Sequence, residues 1–136
     1  MIVEILRILF DVGLLVLIWM VQLIVYPSFL YYTPEQLVSW HTRYVKQISL
    51  IVIPFMFGQT LVSGYQLYQV QSAYTIGSGI LVLLTWILTF YLFVPRHNAI
   101  SNRSYTNKTL VELVSLNWSR TVIWTLIFLW TLITHV

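Results

Sequence analysis

Four long apolar runs alternate with short polar stretches along the chain, at residues 5–30, 48–69, 74–95 and 113–135. Each is near the ~20 residues that a helix needs to cross a hydrocarbon core about 30 Å thick. A segment in lipid must satisfy its backbone polar groups, which leaves helices or closed barrels. The runs are too long and too continuous for barrel strands, which alternate over roughly 10 residues. The pattern therefore predicts an all-α fold, an integral membrane four-helix bundle forming one domain. Residues 34–47 are more polar and read as an interfacial helix leading into the second span. Thr33-Pro34-Glu35-Gln36 offers a capping hydroxyl, a proline suited to the first helical position and a glutamine able to reach back. Thr109 and Glu112 have the same spacing ahead of the fourth span. The stretch from Pro95 to Thr106 reads as a loop.

Polar residues recur at helical spacing inside the apolar runs. Asp11, Leu15, Ile18 and Gln22 share one stripe; His41, Tyr44, Ile48, Val52, Phe55 and Gln59 share another. Ser78, Thr85 and Thr89 line the third helix, and Leu113, Asn117, Arg120 and Trp124 the fourth. Polar groups in a bilayer turn toward the bundle, so an interior polar seam is expected. It can act as glue between helices, at ~0.6 kcal/mol per bond, or as the wall of a pocket for a lipid-like ligand. Glu4, Arg7 and Asp11 are three and four residues apart and read as local pairs at the membrane surface.

Composition then narrows the class. Of 136 residues 59% are hydrophobic and only 8% charged, against about a quarter charged in soluble domains. A chain this short has no interior large enough to hide that apolar surface from water. The absence of cysteine excludes disulfides, thiol catalysis and thiolate metal sites. The net charge of +3 is thinly spread, with no basic run, so no nucleic-acid partner is expected. Glu4 and Arg7 lie ahead of an apolar run without a small-residue cleavage site, so the first run reads as a span and not a leader. Arg43, Lys46, Arg96, Arg103, Lys108 and Arg120 fall on one side, and Arg7 on the other. The positive-inside rule puts the six-cation side in the cytoplasm and both termini on the non-cytoplasmic side. The expected location is multi-pass in a bacterial inner membrane, with the lipid bilayer itself as a partner.

Candidate chemistry gathers on the six-cation side. His41 and His97 are the acid–base candidates, because imidazole exchanges a proton near neutral pH. Arg120 carries a permanent charge and five donors. It can hold the carboxylate, phosphate or carbonyl of an amphiphile, or it can snorkel to the interface. Tyr44, Asn98, Asn117, Trp124, Gln22 and Gln59 complete the candidate ligand-binding set. The two histidines also raise a haem held by imidazoles or, with Glu112 or Glu35, a partial zinc set. The sequence identifies no metal or cofactor. Gly77 and Gly79, flanking Ser78, offer a small face for close helix packing or a homo-oligomer.

Two motifs bracket this region: Val94-Pro95-Arg96-His97-Asn98 and Asn117-Trp118-Ser119-Arg120-Thr121, with Val25-Tyr26-Pro27 closing the first span. Through them the chain resembles the small four-helix membrane proteins of the anthrone-oxygenase-like group. The resemblance implies a four-helix topology over the whole chain. It also implies a cofactor-independent, oxygenase-like ancestor acting on a polycyclic phenolic substrate. His97 departs from that group's pattern. The residues themselves point to a membrane enzyme or binding protein for an apolar, lipid-soluble small molecule. The alternatives are a non-catalytic interaction or accessory subunit and, third, a transporter or channel formed by an oligomer.

Overall fold

In the computed structural model, which describes all 136 residues, four helices run up and down: α1 Ile2–Tyr31, α2 Pro34–Gln69, α3 Ala73–Ser101 and α4 Asn107–His135. Each is long and apolar enough to cross a membrane. Helices adjacent in sequence pack together, and α1 closes the ring against α4. Both termini lie at one end, where Glu4 and His135 line the same cleft. The opposite end holds the α1–α2 turn and the α3–α4 loop.

Burial is inverted relative to a water-soluble protein. Fourteen of the 30 buried residues are polar or charged, whereas Leu23, Leu50, Leu61, Ile80 and Ile133 lie bare on the outside. Such a surface suits acyl chains, and the polar interior is the predicted seam. Close helix approach is set at α1–α2 by two reciprocal contacts: the Phe10 ring lies over Gly58 and the Phe55 ring over Gly13. The two rings meet edge to face, with centroids 5.8 Å apart. A Cβ at either glycine would overlap the ring. Gly77 is likewise filled by Trp130 of α4 and Gly79 faces Ser63 of α2, so the small face is used within the chain.

The start of α2 follows the sequence. Gln36 N–H donates to Thr33 Oγ1 and the Gln36 side chain accepts from Thr33 N–H. Pro54 is absorbed inside the helix, so residues 34–47 and the second span form one rod.

Three expectations are corrected. Pro95 does not begin a loop. A π-helical turn at Thr89–Phe93 precedes it, and the helix runs on to Ser101. Widening the turn before a residue without an N–H re-registers the hydrogen bonds that proline would break. His97 and Asn98 are therefore helical and aimed. Second, α4 begins at Asn107, and it is Thr109 Oγ1 that accepts from Thr106 N–H. Glu112 does not cap the helix but binds Arg96 at 2.9 Å. Third, Arg7 and Asp11 do pair, yet not at the surface: both are buried.

Candidate functional site

At the loop end, a cavity of about 380 Å³ reaches from the bundle interior to its flank. Its inner wall carries Ile18 and Tyr26 of α1, Tyr44 of α2, Phe93 and His97 of α3, and Arg120 and Trp124 of α4. Its mouth lies between α2 and α3, where the lining residues Ile53, Phe57, Phe90 and Val94 are exposed on the apolar outside. Asn98 sits exposed on the rim. Toward the termini the gap is closed by Trp86, which donates to Thr60 Oγ1 at 2.8 Å and meets Phe57 edge to face. The mouth thus opens on the apolar outer surface of the bundle.

Arg120 is the electrostatic centre of the cavity. It is 7% exposed. Its Nε and Nη2 donate to Asn117 Oδ1 at 3.0 and 2.7 Å, and Nη2 donates to Tyr26 Oη at 3.0 Å. Nη1 donates to Thr89 Oγ1 at 3.3 Å, and the guanidinium carbon lies 3.5 Å from the Phe93 ring centroid. Every one of these partners is neutral. Guanidinium has five N–H groups, so one at Nη1 has no protein acceptor. The four acids of the chain are elsewhere. Glu112 serves Arg96 and Lys108, Glu4 the N-terminus and Asp11 Arg7, while Glu35 is exposed on the first turn of α2. Arg120 is a buried cation without a counter-ion, facing an open cavity.

Beyond Tyr26 runs a line of ring nitrogens. Tyr26 Oη is 2.9 Å from His97 Nε2, His97 Nδ1 is 2.7 Å from His41 Nε2, and His41 Nδ1 is 3.4 Å from Ser101 Oγ. The imidazoles lie nearly parallel with centroids 5.0 Å apart. His41 is fully buried between Phe29 and Tyr44, whereas Ser101 is exposed.

The predicted residues thus separate. Tyr44, His97, Asn98, Arg120 and Trp124 line the cavity, and His41 stands directly behind His97. Gln22 and Asn117 do not reach the cavity. Asn117 Nδ2 and Thr121 Oγ1 donate to Gln22 Oε1, and Gln22 Nε2 donates to the Val114 carbonyl, which ties α1 to α4 and holds Asn117 against Arg120. Gln59 belongs to the far end, where it donates to Asp11 and accepts from Trp124 Nε1. No three His, Asp or Glu side chains converge as metal ligands. Two nitrogens on one tetrahedral metal, each at about 2.0–2.1 Å, lie more than ~3 Å apart, and the histidine pair is closer than that. The important omission from the sequence reading is Tyr26, which sits one turn after Gln22 and looks like an interfacial aromatic until His97 and Arg120 are found on its hydroxyl.

Compared with known proteins, the chain matches no family model, no curated protein and no solved structure.

Proposed function

We propose that the protein binds a lipid-soluble amphiphile. The molecule enters from the bilayer between α2 and α3, lays its apolar part along Ile48, Val52 and Phe90, and presents its polar end to Arg120 and Tyr26. The observation that carries this reading is the uncompensated Arg120 at the inner wall of a cavity whose mouth is apolar. Burying a charge without a partner costs several kcal/mol, and a ligand with negative or strongly polar oxygen offsets that cost while filling the space. Few convergent polar groups in an otherwise apolar pocket are the usual form of a small-molecule site. The excess of Lys and Arg at this end supports a cytoplasmic orientation for it.

The test is extraction into lipid nanodiscs followed by mass spectrometry of the bound small molecules. Wild type is expected to retain a stoichiometric amphiphile that Arg120→Ala loses. Bulk lipid alone on both proteins would overturn the proposal.

A further inference from the structure

We infer that the cavity takes a single-chain carboxylic acid from the bilayer and that Tyr26, His97 and His41 carry its proton to water at Ser101. The inference rests on the proposed ligand pocket and names the ligand's chemistry.

The relay uses one of the two directions that these hydrogen bonds allow. Arg120 has only donors, so Tyr26 Oη accepts from it. In that direction the Tyr26 hydroxyl donates to His97 Nε2. A neutral imidazole accepting at Nε2 carries its hydrogen on Nδ1, so His97 donates to His41 Nε2. By the same rule His41 Nδ1–H points to Ser101 Oγ. In this tautomer every hydrogen is aligned from the cavity toward the loop surface. The groups around the pair are Tyr26 and Phe29 from α1, Tyr44 from α2, Ser101 from α3 and, beyond Tyr26, Arg120 from α4. No carboxylate is among them, so nothing on the protein holds a proton or a positive charge at the pair.

The apolar mouth and the buried cation impose opposite demands on a ligand. A carboxylate is costly in hydrocarbon, so an acid passes the mouth protonated. Arg120 binds the anion far better than the neutral acid. A proton must therefore leave on binding, and the tyrosine–histidine line is its hydrogen-bonded route. The acid's O–H bond breaks and its proton goes to Tyr26 Oη. The Tyr26 proton goes to His97 Nε2, the His97 Nδ1 proton to His41 Nε2, and the His41 Nδ1 proton to water beside Ser101. Tyrosine and both imidazoles end neutral, with the histidine tautomers reversed, and the new carboxylate rests on Arg120. One proton returning inward when the acid leaves restores the first arrangement, so the line suits a single reversible exchange per binding event.

The experiment uses the full chain in nanodiscs with palmitic acid as the probe and hexadecanol as its non-ionising control. The pH is kept below that at which membrane-dissolved acid ionises. Tryptophan fluorescence follows ligand uptake, and a soluble pH indicator follows the proton. Wild type is expected to release one proton per palmitic acid bound and none with hexadecanol. His41→Phe is expected to slow release roughly 10²-fold relative to uptake, and His41→Gln serves if that variant does not fold. Binding of both probes without proton release would overturn the inference and leave the amphiphile pocket standing. Unslowed release in the His41 variants would overturn the relay. Failure of both probes to bind would overturn pocket and relay together.

Discussion

Each end of the bundle buries an arginine, and the two are held in opposite ways. Arg7 is fully buried, and its partners come from three helices: Asp11 of α1, Gln66 of α2 and the Tyr74 ring of α3. Its Nε lies 3.1 and 3.0 Å from the two Asp11 oxygens, and Nη1 donates to Gln66 Oε1. Asp11 also accepts from Gln59 Nε2 and Thr131 Oγ1, both at 2.6 Å, and Thr131 in turn accepts from the Tyr74 hydroxyl. Charge is cancelled inside the protein, and neither residue lines the lateral cavity. Arg120 has geometry as good but only neutral partners, and it faces open space. Both guanidiniums keep N–H groups without a protein acceptor, Nη2 on Arg7 and one hydrogen of Nη1 on Arg120; what separates them is that Arg7 has a carboxylate and Arg120 has none and faces a cavity.

The sharpest way to break this contrast is Asp11→Ala. It leaves Arg7 charged and enclosed, which costs about 3–5 kcal/mol. The expected outcome is a protein that unfolds at much lower denaturant in mixed micelles, or that is not recovered at all. Adding Arg7→Met to Asp11→Leu removes both charges and is expected to restore most of the loss. A single Asp11→Ala as stable as wild type would mean that the terminal end is not held by its ion pair.

Arg120→Met is the matching change at the other end, with a smaller effect on stability. It deletes a cation that no anion balances, and the chief cost is Asn117 Oδ1 losing both of its donors. An orphaned buried acceptor costs about 1–3 kcal/mol, offset by no longer burying the charge. The expected net change is below about 2 kcal/mol, accompanied by loss of bound amphiphile in the same preparation. A collapse as deep as that of Asp11→Ala would show that Arg120 is structural, and the contrast between the ends would disappear.

Much of this arrangement was legible in the chain, and the misreadings have a common cause. Apolar run length gave the four spans, and helical spacing placed His41, Tyr44, Gln59, Asn117, Arg120 and Trp124 on inward faces. The Thr33–Gln36 cap was readable because its partners are three residues apart. Arg7 and Asp11 were misplaced because an i, i+4 pair looks the same in sequence whether water or protein surrounds it. Here the surroundings are Gln59, Gln66 and Thr131, contributed by other helices. Pro95 suggested a loop because the compensating π-turn leaves no residue signature. The contact of His41 with His97, 56 positions apart, exists only because α3 continues past that proline.

The smallest predicted effect lies between the two ends. Gln22→Met keeps the length of the side chain and removes its bonds to Val114, Asn117 and Thr121. Interhelical bonds of this kind average ~0.6 kcal/mol in a bilayer. Thr121 keeps its bond to the Asn117 carbonyl, and Asn117 Oδ1 keeps Arg120. The loss is therefore expected near 1 kcal/mol, well under that of Asp11→Ala, with the same shift in ligand-free and ligand-loaded protein if Gln22 is glue alone. A destabilisation confined to the loaded form would instead place Gln22 in the support of Arg120, since freeing the Asn117 amide loosens the acceptor that aims the guanidinium at the cavity. Comparing the midpoints of the two forms thus marks where the structural half of the seam ends and the ligand half begins.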